Sequence, residues 1–186
     1  MSTSSLKYTR IAIWLHWIMA FLLIAQLAGG FIMHAMEGSP LKWSLYGWHK
    51  SFGICILLLA ILRLIWRLTH KAPALPSDTK PIERLMARLT HIGFYGLMIG
   101  IPMAGWLMVS ASETPFKTTL FKLVTWPDFP LTRSKALQGL FSEAHELMAF
   151  AFIGLLVLHL AAAYKHHFIA KNNMLSRMIP NLKPRD

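Results

Sequence analysis

Cysteine is all but missing from this chain. Cys55 is the only one in 186 residues, which excludes an internal disulfide and any cysteine-based zinc or iron–sulfur centre. It sits in an apolar run and is read as packing. Charge is scarce as well: 15% of residues are charged and 55% are hydrophobic, whereas an ordinary soluble domain has about 25% and roughly 45–50%. That balance excludes a typical water-soluble globule and points to a membrane. Acidic residues are the scarcer sign, eight Asp and Glu against nineteen Lys and Arg. A basic excess of that size can serve nucleic acid, anionic lipid or an anionic substrate, and the placement of the charges decides among them.

What the chain does have is four apolar runs, each long enough to cross a bilayer, for which about 20 residues suffice. The expected spans are 8–34, 43–68, 90–110 and 139–167. The first is longer than the roughly 7–15 residues of a signal-peptide core, and no clear small-residue cleavage site follows it, so it is expected to be retained. A linker with Pro73, Pro76 and Pro81 follows the second span. Glu83 to Thr90 reads as an amphipathic lead-in to the third, where Gly93, Gly96 and Gly100 share a face suited to close helix contact and Pro102 is expected to kink the helix. Residues 110–138 form the longest polar connection. Thirteen of the nineteen Lys and Arg fall in the two termini and the 63–90 linker, which predicts an all-α four-helix transmembrane bundle with both termini cytoplasmic. Orientation thereby accounts for most of the basic charge, and nucleic acid is not expected as a partner. The whole chain, 1–186, is read as one membrane-embedded domain in contact with lipid.

Four of the nine histidines lie inside the apolar runs. His145 and His159 are fourteen residues apart on one helix, which returns them to within roughly 40° of the same face about 21 Å apart along the axis. On the predicted topology His16 is level with His159 near the cytoplasmic end, and His49 is level with His145 near the external end. Ionisable side chains at such depths are costly without a partner and are functional candidates by default. Two same-depth imidazole pairs are what two stacked b-type haems in a four-helix bundle require, one imidazole on each axial side of each iron. Gly53, Ala149, Ala162 and Ala163 lie near these histidines and leave room for a flat macrocycle. His34, His70, His91, His166 and His167 fall at span boundaries, where water can solvate them; for His91 a propionate or a quinone is the alternative contact. Arg63 and Arg67 are read as topology anchors, and most of the seven tryptophans as an interfacial belt.

Trp14-Leu15-His16-Trp17, His49-Lys50-Ser51-Phe52-Gly53-Ile54, His145-Glu146, Leu158-His159 and the tail from Lys165 to Met178 resemble the bacterial cytochrome b561 family over nearly the whole chain. The resemblance implies a multi-pass inner-membrane cytochrome of the respiratory chain holding two haem b. Its ligand positions correspond to His16 and His159 for the cytoplasmic-side iron and to His49 and His145 for the periplasmic-side iron. Family members pass electrons between a reductant and quinone. One branch looks like superoxide oxidases that use ubiquinone, and other relatives are haem-bearing anchors that relay electrons for a partner dehydrogenase or hydrogenase. This chain departs from the family pattern at Asn172-Asn173 and in the 110–138 loop.

That loop carries Lys117, Lys122, Arg133 and Lys135 against Glu113 and Asp128, on the side where few basic residues are expected. A basic funnel would raise the arrival rate of a small anionic electron donor such as superoxide; mixed solubilising charge is the other reading. No catalytic residue is assigned from the sequence. A copper- or zinc-handling bundle using the same histidines and a haem-free structural bundle are the competing classes, and an absorption spectrum separates them.

Overall fold

A computed structural model describes residues 8–70, 73–74, 79–114, 117–171, 173–179 and 182. Pro76, Pro115 and Asn172, on which parts of the reading above fall, lie outside the described residues. Four long helices carry the chain: α1 (Arg10–Ala35), α2 (Pro40–Thr69), α3 (Pro81–Ser110) and α4 (Lys135–Tyr164). All four are long and apolar enough to span a bilayer. A π-helical turn, Lys165–Ile169, extends α4, and a short 3-10 turn, Leu175–Arg177, follows it.

α2, α3 and α4 begin earlier than hydropathy alone suggests and α1 two residues later, because helix starts are set by capping residues and prolines. Thr9 Oγ1 accepts the Ala12 N–H at 3.2 Å and Ser39 Oγ accepts that of Lys42 at 3.2 Å, so each caps a first turn. Pro40 and Pro81 open α2 and α3, where a missing N–H costs no intrahelical bond. As a result α2 starts three residues before Trp43, and the 83–90 lead-in is continuous with the third span. Pro102 lies inside α3 without ending it. Because α4 starts at Lys135, the long connection shrinks to 111–134. It contains a small antiparallel hairpin, β1 (Thr119–Leu120) with β2 (Val124–Thr125).

The principal helix contacts are α1 with α2, α2 with α3 and α3 with α4. Large apolar side chains face outward along the bundle, among them Phe21 at 73% exposure, Leu68 at 77% and Leu147 at 72%, as a lipid-facing surface requires. The fully packed centre is small and takes one residue from each helix: Met19, Ala60, Met98 and Phe152. Phe152 is seven residues from both His145 and His159, so this waist separates two levels of the bundle. Close approach of α3 to α4 occurs at Gly93 and Gly100, where an added Cβ would stand 3.1 Å from Leu155 Cδ2 and 3.0 Å from Met148 Sδ. Gly96, expected in the same stripe, has open space instead, and the third close approach is Gly105.

Two buried serines tie the 111–134 connection to the helices. Ser51 Oγ donates to Gly47 O and accepts the Phe121 N–H, both at 2.9 Å. Ser110 Oγ donates to Trp106 O at 2.9 Å and accepts the Phe129 N–H at 3.0 Å. At the other end, the tail folds back over the helix ends. Trp17 Nε1 donates to Met178 O at 2.8 Å, Arg177 Nη1 to Ala74 O at 2.6 Å, and Lys165 pairs with Glu83 at 2.9 Å.

Candidate functional site: two levels of paired imidazoles

Helix periodicity delivers the four intramembrane histidines to the interior as two facing pairs. The His16 and His159 rings lie 6.3 Å apart, centre to centre, at the end of the bundle that carries the termini. His49 and His145 lie 6.2 Å apart at the hairpin end. All four residues are half-buried. Two imidazole–metal bonds of about 2.0–2.1 Å in line, plus about 1.1 Å from each nitrogen to its ring centre, give roughly 6.2–6.4 Å. Both separations therefore match an ion held between opposed rings.

The local contacts differ between levels. His145 Nδ1 lies 2.8 Å from the Ile101 carbonyl, an acceptor only, so that nitrogen carries the proton and Nε2 keeps its lone pair. Gly105 makes room for this ring: a Cβ there would stand 3.2 Å from both Cε1 and Nδ1 of His145. Opposite it, Gln26 Nε2 donates to the His49 carbonyl at 2.8 Å and fixes that turn of α2 against α1. His49 Nδ1 is buried with no hydrogen-bond partner among the described residues. An unpaired buried nitrogen costs about 1–3 kcal/mol, which a ligand that reorients or engages the ring relieves.

At the other level Arg63 Nη2 lies 3.0 Å from His16 Nδ1. Arg63 was expected to be an interfacial anchor, but the structure turns it half-buried into the bundle. The signal was present in the sequence: Arg63 follows His49 by fourteen residues, the same spacing that sets His145 and His159 on one face. Phe94 packs edge-on against both His159 and Phe152, with ring centres 5.3 Å apart in each case, joining this level to the waist. His91 Nδ1 is bonded to Ala87 O at 2.8 Å within its own helix.

Each level offers two imidazoles, and no group of three or more His, Cys, Asp or Glu with metal-binding geometry occurs among the described residues. A structural zinc site takes four protein ligands and a catalytic one takes three. A porphyrin supplies four nitrogens of its own, so an opposed pair of imidazoles completes its iron. The donor set fits haem and is too small for a zinc site of three or four protein ligands.

The basic residues of the loop are not gathered into one cluster. Lys117, Lys122, Arg133 and Lys135 are all exposed. Arg133 is partly neutralised by Asp128 at 3.5 Å. Lys122 borders a hollow of about 100 Å³ lined by Trp43, Trp48, Ser51 and Phe121.

Comparison with known proteins agrees with this donor set. The profile of the prokaryotic cytochrome b561 family matches residues 7–181. Cytochrome b561 homolog 2 of Escherichia coli (strain K12) is 31% identical over 182 residues, covering 93% of this chain and 91% of the relative. Cytochrome b561 homolog 1 of the same organism is 26% identical, covering 95% and 99%. A probable superoxide oxidase CybB of Yersinia pestis is 27% identical, covering 94% and 96%. Four apolar helices, opposed imidazoles and a family match across almost the entire length lead to one conclusion: the chain belongs to the prokaryotic cytochrome b561 family, the multi-pass electron-transfer proteins of the bacterial inner membrane that carry b-type haem.

Proposed function

We propose that this chain is a single-domain, two-haem cytochrome that takes electrons from superoxide at the hairpin end and delivers them to ubiquinone. The observation that carries the two-haem reading is the pair of ring separations, 6.3 Å and 6.2 Å, one on each side of the packed waist. His16 and His159 would hold one haem, and His49 and His145 the other. Bound haem supplies reversible one-electron chemistry. The chain's part would be to hold each haem with two imidazoles, to keep water out with apolar walls, and to fix the two levels about 21 Å apart along α4.

The concentration of Lys and Arg at the end with the termini favours placing that end in the cytoplasm and the hairpin outside. On that orientation the exposed Lys117, Lys122 and Lys135 lie on the side of an external donor, with Arg133 contributing less because of Asp128. The name of the Yersinia pestis relative supports superoxide as that donor. The reaction balances as two superoxide, one ubiquinone and two protons giving two dioxygen and one ubiquinol.

The test is a reduced-minus-oxidised spectrum with a haem count on the purified chain, followed by rapid mixing with superoxide and a soluble ubiquinone. Two haems per chain and one quinol per two superoxide are expected. Colourless inserted protein would overturn the haem reading. Haem-bearing protein that reduces quinone only with a stoichiometric partner would replace the oxidase reading with that of an anchor subunit.

A further inference from the structure

Three helices each present two positions fourteen residues apart: His145 and His159 on α4, His49 and Arg63 on α2, Gly105 and His91 on α3. Each pair shares a helix face at the two levels. At the hairpin level the three supply an imidazole, an imidazole and a gap. At the other level they supply an imidazole, a guanidinium and a second imidazole, and α1 adds His16.

That second level holds one inward-turned cation. Arg63 lies 3.0 Å from His16 Nδ1, its Cζ is 5.9 Å from the centre of the Tyr95 ring, and it interacts electrostatically with His159, His91 and Arg67. Among the described residues no Asp or Glu forms an ion pair with Arg63, whose side chain is hydrogen-bonded by Tyr95. Glu83, an acid at the start of α3, is engaged by Lys165. A guanidinium turned inward in an apolar span is costly without an anion, so this group is one anion short.

A guanidinium only donates, so His16 Nδ1 accepts from Arg63. A haem held at this level would bring carboxylates, which suit a guanidinium better than an imidazole nitrogen does.

We infer that Arg63 is the seat for a haem carboxylate at the His16–His159 level. The inference rests on the haem reading above. Arg63 is a positioning residue here, and the bidentate match of guanidinium to carboxylate is what a lysine cannot fully replace.

The experiment is a potentiometric titration of the haem-loaded protein as wild type, Arg63→Gln, Arg63→Lys and Arg67→Gln, with haem loss to an excess of apomyoglobin as a second readout. Removing a cation beside the iron disfavours the reduced state. Arg63→Gln is therefore expected to lower the midpoint of one haem, leave the other in place, and speed loss of the affected haem about tenfold. Arg63→Lys is expected to keep the midpoint while loosening retention, and Arg67→Gln, exposed at the helix end, to lower the midpoint less than Arg63→Gln and to leave retention unchanged. Unaltered midpoints and loss rates in Arg63→Gln would overturn the inference, as would a midpoint in Arg63→Lys that falls although the charge is kept. If Arg63→Gln yields no inserted protein, the Arg63→Lys pattern decides alone. A shift shared equally by both haems would also overturn it, since Arg63 would then not act at one level. Absence of haem from the wild type would sink the underlying reading and is told apart by the haem count.

Discussion

Substituting Gly105 with alanine is the most direct test of how the hairpin-level site is built. The new methyl would stand 3.2 Å from both Cε1 and Nδ1 of His145. Ordinary carbon contacts are about 3.5–4.0 Å, so the ring has to retreat by roughly 0.3–0.8 Å. It cannot do so freely, because Nδ1 is held by Ile101 O at 2.8 Å, and a retreat of that size takes the bond toward or past its useful limit of about 3.2 Å. Overpacking of this kind costs about 1–3 kcal/mol, partly offset in the fold by the gain of about 1 kcal/mol that alanine brings to a helix. The bundle should insert normally, while affinity for the haem between His49 and His145 falls roughly 5- to 150-fold. Gly96→Ala is the matched control, since nothing lies within 4 Å of a Cβ there. Haem per chain and the rate of haem loss are the measurements. Two haems lost at the same rate in both variants would refute the account of Gly105 as the room-maker for His145.

Alanine at His49 or His145 should remove one spectral component and leave the other, and alanine at His16 or His159 should do the reverse; a haem count of zero from any single change would show that the levels do not load independently. Replacing Lys117, Lys122 and Lys135 together with glutamine should slow superoxide consumption several-fold at low salt and flatten its salt dependence, whereas Arg133→Gln should do less because Asp128 already offsets it. Equal rates at low and high salt in the wild type would dispose of electrostatic steering. Ser51→Ala leaves the Phe121 N–H without its acceptor and should cost about 1–3 kcal/mol, seen as faster proteolysis within 117–125. Unchanged cleavage there would mean that the hairpin is held by its aromatic contacts.

The four helices were legible because a membrane span is a long apolar run, and length alone separates it from other structure. Their ends were less so: Pro40 and Pro81 look like breakers in a hydropathy reading, yet at a first turn they start helices. The four histidines were legible because fourteen residues is nearly a whole number of turns. The same arithmetic applies to Arg63, which the charge rule had assigned to the surface, so two sound rules competed and the geometric one won. Gly105 was visible as a residue but not as a function, since what it clears depends on where α4 lies. The hairpin was not legible at all. Phe121 and Lys122 take φ of 51° and 62° without a glycine or asparagine to announce it. Left-handed backbone of this sort costs roughly 1–2 kcal/mol per residue. Ser51 and the rings of Trp48 and Phe52 hold it, and none of them is local in sequence to the turn.

The waist of Met19, Ala60, Met98 and Phe152 carries a consequence for substitution. Its four members are 0–4% exposed and none of them has an ionisable group. Tyr95, packed against them, bears a hydroxyl. A change at any of the four to an ionisable residue would therefore put a charge where that layer has none, between the two levels of the bundle.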